Sequence, residues 1–414
     1  MSGGLLLFVE QPSASGSQEV LLREMLGIAQ SAGRSIAFVV SCKVKHPFPR
    51  YYFGKGKVAE IGALIAERSL SFVLTNVEVT PSQQRNLEKI WNVPVYTKYA
   101  VIHEIFAQRA RTAQGKIKVE LARLRYELSR LPGKGAEFSR TGGGIGTRGP
   151  GEQKIEVERR KIKSRIAHLL KELRHLERQS KIQKVCREKS GVFEIAIVGY
   201  TNAGKSTLLN ALTGAEAYVA NRMFATLDPL ARKSFVPGVG EVVFVDTVGF
   251  IREMPETIKD AFRSTLEEVK DADLILAVLD VSDPDYVNHF QVMTETLEEI
   301  GAKECPRILV LNKVDLLGEP PFLEHSMREQ PHVFVSAYKK IGLEDLLREI
   351  ARVLQPKLAE IHLEVPPERL ALVQRRIYPH GYIRSFRALE DGTLVLDCVV
   401  QRDSVAKLYA LLAS

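Results

Sequence analysis

Nowhere in the 414 residues do eighteen apolar residues follow one another, so no helix of this chain is expected to span a bilayer. Cysteine is scarce. Cys42, Cys186, Cys305 and Cys398 stand alone, with neither CxxC spacing nor the density of a disulfide framework, which points to a reducing cytoplasm. The opening segment, Met1 to Glu10, has no basic flank and too short an apolar core for a secretory signal; it reads as a first strand. No internal repeat is evident, and the only biased segment is rich in glycine. With 45% hydrophobic and 26% charged residues, the composition is that of a soluble globular protein. The length exceeds what one core holds, so two or three domains are expected.

The net charge of +8 is unevenly distributed. Between Arg109 and Lys189 stand 23 Lys and Arg against 9 Asp and Glu, a local excess of +14, so the remainder sums to −6. A contiguous fifth of the chain therefore carries the positive field, which favours a polyanionic partner, nucleic acid first, over a merely solvated helical face.

Just past this arm lies Gly199-Tyr200-Thr201-Asn202-Ala203-Gly204-Lys205-Ser206-Thr207, between the apolar run Ile195–Val198 and a short helical pattern through Leu208, Leu209 and Leu212. It fits the G-x-x-x-x-G-K-[ST] phosphate loop in its required strand–loop–helix setting. The glycines let backbone N–H groups curl toward phosphate oxygens. Lys205 can reach the β- and γ-phosphates, and the Ser206 hydroxyl suits Mg²⁺. A nucleoside triphosphate is the ligand this loop is built for.

Further segments follow in the order a GTPase requires. The strand Val242–Val245 ends in Asp246-Thr247-Val248-Gly249, where Asp246 can hold Mg²⁺ through water and the Gly249 N–H can meet the γ-phosphate. Between these motifs, Phe224-Ala225-Thr226-Leu227-Asp228 offers Thr226 to complete the metal shell and sense the γ-phosphate. The strand Ile308–Leu311 delivers Asn312-Lys313-Val314-Asp315. The Asp315 carboxylate can accept from guanine N1–H and its 2-amino group, a donor pair that adenine lacks. His332–Val335 leads to Ser336-Ala337-Tyr338, whose first two amides can meet the guanine 6-oxo group. GTP and GDP are thus the expected nucleotides, with Ser206, Thr226 and Asp246 as metal ligands and Lys205, Thr226 and Asn202 as catalytic groups.

Phe250 follows Gly249, where Ras-like enzymes place a water-orienting Gln; an apolar side chain cannot polarise water, so intrinsic hydrolysis should be slow and partner-stimulated. Asn202 offers an amide oxygen near the bridge between the last two phosphates. Holding K⁺ there and stabilising the local turn are equally compatible with the sequence.

Periodicity divides the chain into four segments. Residues 1–108 form an α/β unit, with strands at Leu5–Val9, Ile36–Ser41, Phe72–Thr75 and Val93–Tyr96 and helices between them, so the sheet should be parallel. Within it, Phe53-Gly54-Lys55-Gly56-Lys57 reads as a tight turn opening a helix and not as a second phosphate loop. Residues 109–190 form a basic helical hairpin, Lys116–Leu131 and Gln153 to about Arg187. Its second arm repeats Ile155, Ile162, Ile166, Leu169, Leu173 and Leu176 on one face. The arms flank the Gly143–Gly151 loop, which with Arg148 can approach RNA phosphates closely. Residues 191–356 form the P-loop GTPase domain, α/β with a doubly wound, mostly parallel sheet. Residues 357–414 form a small α+β domain with a strand at Leu394–Val400 and helices at Glu368–Arg375 and Ser404–Leu412.

The phosphate loop with its Asn202, Phe224 to Pro229, Asp246-Thr247-Val248-Gly249-Phe250, the stretch Gly143 to Glu152 and Phe53 to Lys57 together resemble the HflX family of ribosome-associated GTPases. The resemblance covers essentially the whole chain. It implies binding to the large ribosomal subunit, with the Gly-rich loop reaching ribosomal RNA, and splitting or rescue of stalled or stressed ribosomes. The chain is then expected to be monomeric and cytoplasmic, peripheral to a membrane at most and never inserted. Two departures stand out. Tyr96-Thr97-Lys98-Tyr99 replaces a usual Asp-Arg pair, which puts an N-terminal salt bridge in doubt, and Gln153-Lys154-Ile155 replaces Thr-Gln-Leu. A GTPase for ribosome assembly or RNA modification is the nearest alternative. A switch recruiting proteins or touching anionic membranes is further off, because the hairpin stripe is aliphatic where a membrane would want aromatics.

Overall fold

The structure, a computed structural model, describes residues 3–10, 18–131, 150–190, 192–214, 230–247, 249–250, 269–378 and 380–413. Residues 132–149, which hold most of the Gly-rich loop, and the segment Phe224–Asp228 lie outside them, as does Val248. Two compact units divide the chain between Leu176 and Glu177.

The first unit opens with four parallel strands: β1 (Gly4–Glu10), β2 (Ile36–Lys43), β3 (Val73–Thr75) and β4 (Val95–Thr97), in the order β2-β1-β3-β4. β1 is central. Its Leu5-Leu6-Leu7-Phe8-Val9 run is buried throughout, as a strand covered on both faces must be, whereas β2, at the edge, alternates between exposed and half-buried. Helices α1 (Gln18–Ser31), α2 (Lys55–Arg68), α3 (Pro81–Trp91) and α4 (Lys98–Arg109) connect and follow the strands. α3 starts where the sequence says it should: Thr80 and Gln83 close a capping box and Pro81 fills a first-turn position needing no N–H. Lys98 pairs with Glu24 of α1 at 2.8 Å, both side chains buried, so the departing segment supplies an ion pair of its own.

α5 (Ala113–Arg130) and α6 (Pro150–Ser190) form the basic arms. Ile117, Leu121 and Leu124 of α5 enclose Leu169, 1% exposed, with Ile162, Ile166, Leu170, Leu173 and Leu176 packed around them. The apolar stripe thus faces the other arm. Arg165 adds a two-pronged bond to Glu120, at 2.9 and 3.2 Å. At the far end of α5, Tyr126 Oη and Arg130 both donate to Glu78, at 2.8 and 3.1 Å. Burial beside that carboxylate pushes the Tyr126 phenol up to about 12, so it stays a donor.

The second unit is built on six strands in the order β10-β9-β8-β5-β7-β6. They are β5 (Phe193–Gly199), β6 (Leu230–Val236), β7 (Gly240–Asp246), β8 (Leu274–Asp280), β9 (Arg307–Asn312) and β10 (His332–Val335). All neighbours are parallel except β6 and β7. α7 (Lys205–Thr213) follows the phosphate loop, and α8 (Tyr286–Glu299), the short α9 (His325–Arg328) and α10 (Leu343–Leu354) complete the layers. One apolar face packs Leu208, Leu209, Leu346 and Ile350 onto the sheet, and the other packs Phe290, Met293 and Leu297.

The C-terminal segment adds an antiparallel sheet, β11-β13-β12, from β11 (Leu358–Val365), β12 (Gly381–Ala388) and β13 (Leu394–Gln401). Helices α11 (Leu370–Ile377) and α12 (Val405–Ala413) cover one face through Val373, Ile377 and Leu408. Leu358 and Val399 join the core of the larger sheet, and Lys357 reaches Asp273 at 2.7 Å.

Candidate active site

The site forms at the carboxyl ends of β5, β7, β8, β9 and β10, where an open parallel sheet gathers its loops. Tyr200 to Gly204 turn between β5 and α7. Asn202 takes φ +66° and Gly204 φ +94°. Any side chain at Gly204 would sit 2.3 Å from Asn312 Nδ2, so both conformation and space require glycine there.

Asn312, at the end of β9, joins two loops. Its Nδ2 donates to Ala203 O at 2.8 Å in the phosphate loop, and its Oδ1 accepts from Ala337 N at 3.0 Å in the loop after β10. Ser336 N in turn donates to Ile341 O at 3.0 Å. The two amides assigned from sequence to the guanine 6-oxo group are therefore engaged within the protein, because a strand end has donors of its own to satisfy. Tyr338 is 78% exposed beside them, with the Lys339 ammonium 5.4 Å from its ring.

Lys205 is buried, its Nζ donating to Gly199 O at 3.1 Å and Tyr200 O at 2.9 Å. Burial pulls its ammonium down to about 8, with Asp246 opposing. Ser206 Oγ donates to Asp246 Oδ2 at 2.8 Å, and Asp246 is fully buried. A hydroxyl and a carboxylate meeting at the ends of α7 and β7 are hard oxygen donors, which fits Mg²⁺. Thr226, the third expected ligand, lies outside the described residues with Phe224, Ala225, Leu227 and Asp228. Thr247 has a structural bond, its hydroxyl donating to Ile197 O at 2.9 Å. Thr207 sits half-buried in the first turn of α7.

Gly249 lies against the phosphate loop. A Cβ there would come within 2.8 Å of Lys205 Nζ and 3.0 Å of Thr201 Cα. Phe250 N donates to Gly199 O at 3.0 Å, and Thr201 N to Phe250 O at 2.8 Å. The Phe250 side chain is buried in the apolar cluster with Tyr200 and Phe290, which gives it a packing task in place of the glutamine's.

Val314 and Asp315 open a short 3₁₀ turn after Lys313, which takes φ +68°. Asp315 is exposed, so the burial that makes a mismatched base costly has to come from the base itself. Two neighbours of these motifs escaped the sequence reading. Asp280, at the end of β8, accepts from Lys313 Nζ at 2.6 Å through one oxygen and from Ser282 N and Oγ at 3.1 and 2.5 Å through the other. His289 of α8 stacks on Tyr200, ring centroids 3.9 Å apart and planes 15° apart. The run of buried residues before Asp280, Leu274–Leu279, marks a strand ending in a carboxylate, which is the signal that could have found it; nothing local marks His289.

Three family descriptions match in succession: "GTP-binding GTPase N-terminal" over residues 19–107, "GTP-binding GTPase Middle Region" over 109–187 and "50S ribosome-binding GTPase" over 194–313. A protein described as GTPase HflX from Caldanaerobacter subterraneus subsp. tengcongensis is 45% identical over 356 residues, covering 86% of this chain and 82% of the relative. One of the same description from Escherichia coli K12 is 38% identical over 377 residues, covering 91% and 88%. Among solved structures, SsGBP in complex with GDP is similar with TM-score 0.50 and 26% identity, over 86% of this chain and 99% of that one. With a phosphate loop and a buried lysine at the ends of its parallel strands, and relatives of 45% and 38% identity over most of its length, the chain belongs to the GTPase HflX family, and it binds guanine nucleotide and hydrolyses GTP.

Proposed function

We propose that this GTPase works on the large ribosomal subunit, engaging ribosomal RNA through α5, α6 and the Gly143–Gly151 loop, and splits or rescues stalled ribosomes under control of its nucleotide. The observation that carries the reading is the outer face of the hairpin. With its aliphatic stripe consumed between the arms, α6 turns Arg160, Lys161, Lys163, Arg165, Lys171 and Arg174 to the surface. A helix whose apolar face is already covered and whose other faces are cationic suits a phosphate backbone better than a bilayer. The match of 194–313 to a description that names the 50S subunit agrees.

In this reading segments 1–108, 109–190, 191–356 and 357–414 are the working modules of a cytoplasmic monomer. Ser206 and Asp246 would hold Mg²⁺, with Thr226 completing the set for the third phosphate, and the ion would supply neutralising charge to the phosphates. Lys205 carries the β- and γ-phosphates. Asp315 reads the guanine edge and Lys313 lies along the base plane. Asn202 lies in the phosphate loop, where its amide oxygen would either help hold K⁺ beside the bridge oxygen or stabilise the turn. Because Phe250 cannot orient water, hydrolysis waits on the ribosomal partner.

Sedimentation of the full chain with purified ribosomal subunits and a non-hydrolysable GTP analogue tests the reading. Salt-sensitive co-migration with the large subunit is expected, stronger than with GDP. Its absence at low salt would refute the assignment.

A further inference from the structure

Residues 43–57 of the first unit, between β2 and the start of α2, contain Lys43, Lys45, His46, Arg50, Lys55 and Lys57 and no Asp or Glu. Lys45 to Arg50 are all exposed, and among them Phe48 shows 54% of its surface to solvent. This is not a slack loop. Phe48 and Tyr52 exchange backbone hydrogen bonds at 3.0 and 2.8 Å, with Tyr52 at φ +69°. Gln83 donates to Phe48 O and Asn86 to Arg50 O, both at 2.9 Å, tying the crest to α3. Tyr51 and Phe53, on either side of Tyr52, are buried in the core and anchor the chain as it returns from the crest. Pro47 and Pro49 flank Phe48 and narrow its backbone freedom further.

A large apolar ring held outward on a stiff crest is an unusual use of phenylalanine, since two adjacent aromatics found places in the core. The cations around it are positioned as well. The Arg50 guanidinium lies 5.1 Å over the Tyr51 ring. Lys57 is taken by Glu60 at 2.8 Å and Lys43 by Glu10 at 3.5 Å, whereas Lys45, Arg50 and Lys55 have no carboxylate partner among the described residues. α2, 14 residues long, has Gly54 as its N-cap with no side-chain cap, and Lys55 in its first turn is exposed.

We propose that this crest is a docking point for single-stranded RNA: one unstacked base lies on the Phe48 ring and the neighbouring phosphates meet Lys45, Arg50 and Lys55. An aromatic face takes any base, and cations spaced about it track the backbone. A bilayer is the poorer fit, because one ring between two prolines buries little area and no amphipathic helix adjoins it. The proposal rests on the RNA reading above only for the class of partner, and it adds a contact separate from the α5–α6 arms.

The test measures binding of the full chain to a fluorescein-labelled single-stranded RNA of about 12 nucleotides. Phe48→Ala should weaken binding about tenfold with an unchanged salt slope, and Phe48→Trp should restore it. Replacing Lys45, Arg50 and Lys55 together by Gln should lower the slope of log K against log salt by about 2. GTP hydrolysis without RNA should be the same in all three variants. Equal RNA affinity of Phe48→Ala and the parent protein would overturn the proposal. So would an intact RNA affinity with lost binding to phosphatidylglycerol vesicles, which would assign the crest to lipid. Co-migration with the large subunit that survives Phe48→Ala but fails when the α6 cations are replaced would sink this proposal alone and leave the ribosome reading standing.

Discussion

The nucleotide site and the α5–α6 hairpin place polar atoms in opposite ways. Around the phosphate loop, Lys205, Asp246, Thr247 and Asn312 are buried, each fixed by named hydrogen bonds. Along α6 the cations from Arg160 to Arg174 are outside and the enclosed residues are aliphatic, while α5 buries one cation, Lys118. The first arrangement reads one small molecule by shape, since every buried donor must find its partner. The second, if it is the RNA contact proposed above, would recognise charge and spacing alone.

That contrast can be broken at several points. Lys205→Ala should cause the largest change, weakening nucleotide binding by about 10²–10³-fold or more while the melting temperature stays near that of the parent. Titration with a fluorescent GDP analogue reads it, and retained affinity would deny the lysine its role. Asp315→Asn should shift preference from GTP toward xanthosine triphosphate by about 10²-fold, because the amide can donate to the 2-oxo group; competition between the two nucleotides measures it. Leu169→Ala should leave that preference alone and destabilise the first unit by about 2–3 kcal/mol, seen as an earlier transition in urea. An unchanged midpoint would mean that the hairpin core contributes little.

The remaining test concerns pH. The Lys205 ammonium in the folded chain lies at about 8, below its ordinary value of 10.5. Between those values the unfolded chain holds a proton that the folded chain has released. Stability on this group's account therefore rises with pH across that window, and the full cost is present below it. The rise should be about 3 kcal/mol and should vanish in Lys205→Met, as urea midpoints at either end of the window would show.

Much of the nucleotide site was legible in the sequence because its motifs sit at the ends of buried apolar runs, where strand, loop and helix are all announced locally. β5, β7, β9 and β10 were found that way. β6 was missed. Leu230-Ala-Arg-Lys-Ser-Phe-Val is an exposed edge strand whose charges guard it from pairing, and so it carries no apolar run. β11 and β12 were missed for a similar reason, since each shows an open polar face with Glu360, His362 and Glu364 or Arg384, Ser385 and Arg387. Asp280 and His289 could not be placed by pattern, because what matters about them is contact with Lys313 and Tyr200 across 33 and 89 positions of chain. The hairpin stripe, by contrast, was read correctly as a contact face, and its partner is the neighbouring arm.

One consequence follows from Asn312. A single amide spans the loop that cradles phosphates and the loop that frames the base, so those two jaws keep a fixed gauge. A nucleotide longer by one phosphate cannot be fitted by opening them. The extra length has to be absorbed on the remaining side, at Gly249, where even one added carbon would already crowd the lysine. If Gly249 meets the third phosphate, as its motif predicts, GTP and GDP would be told apart where a single Cβ comes within 2.8 Å of the lysine.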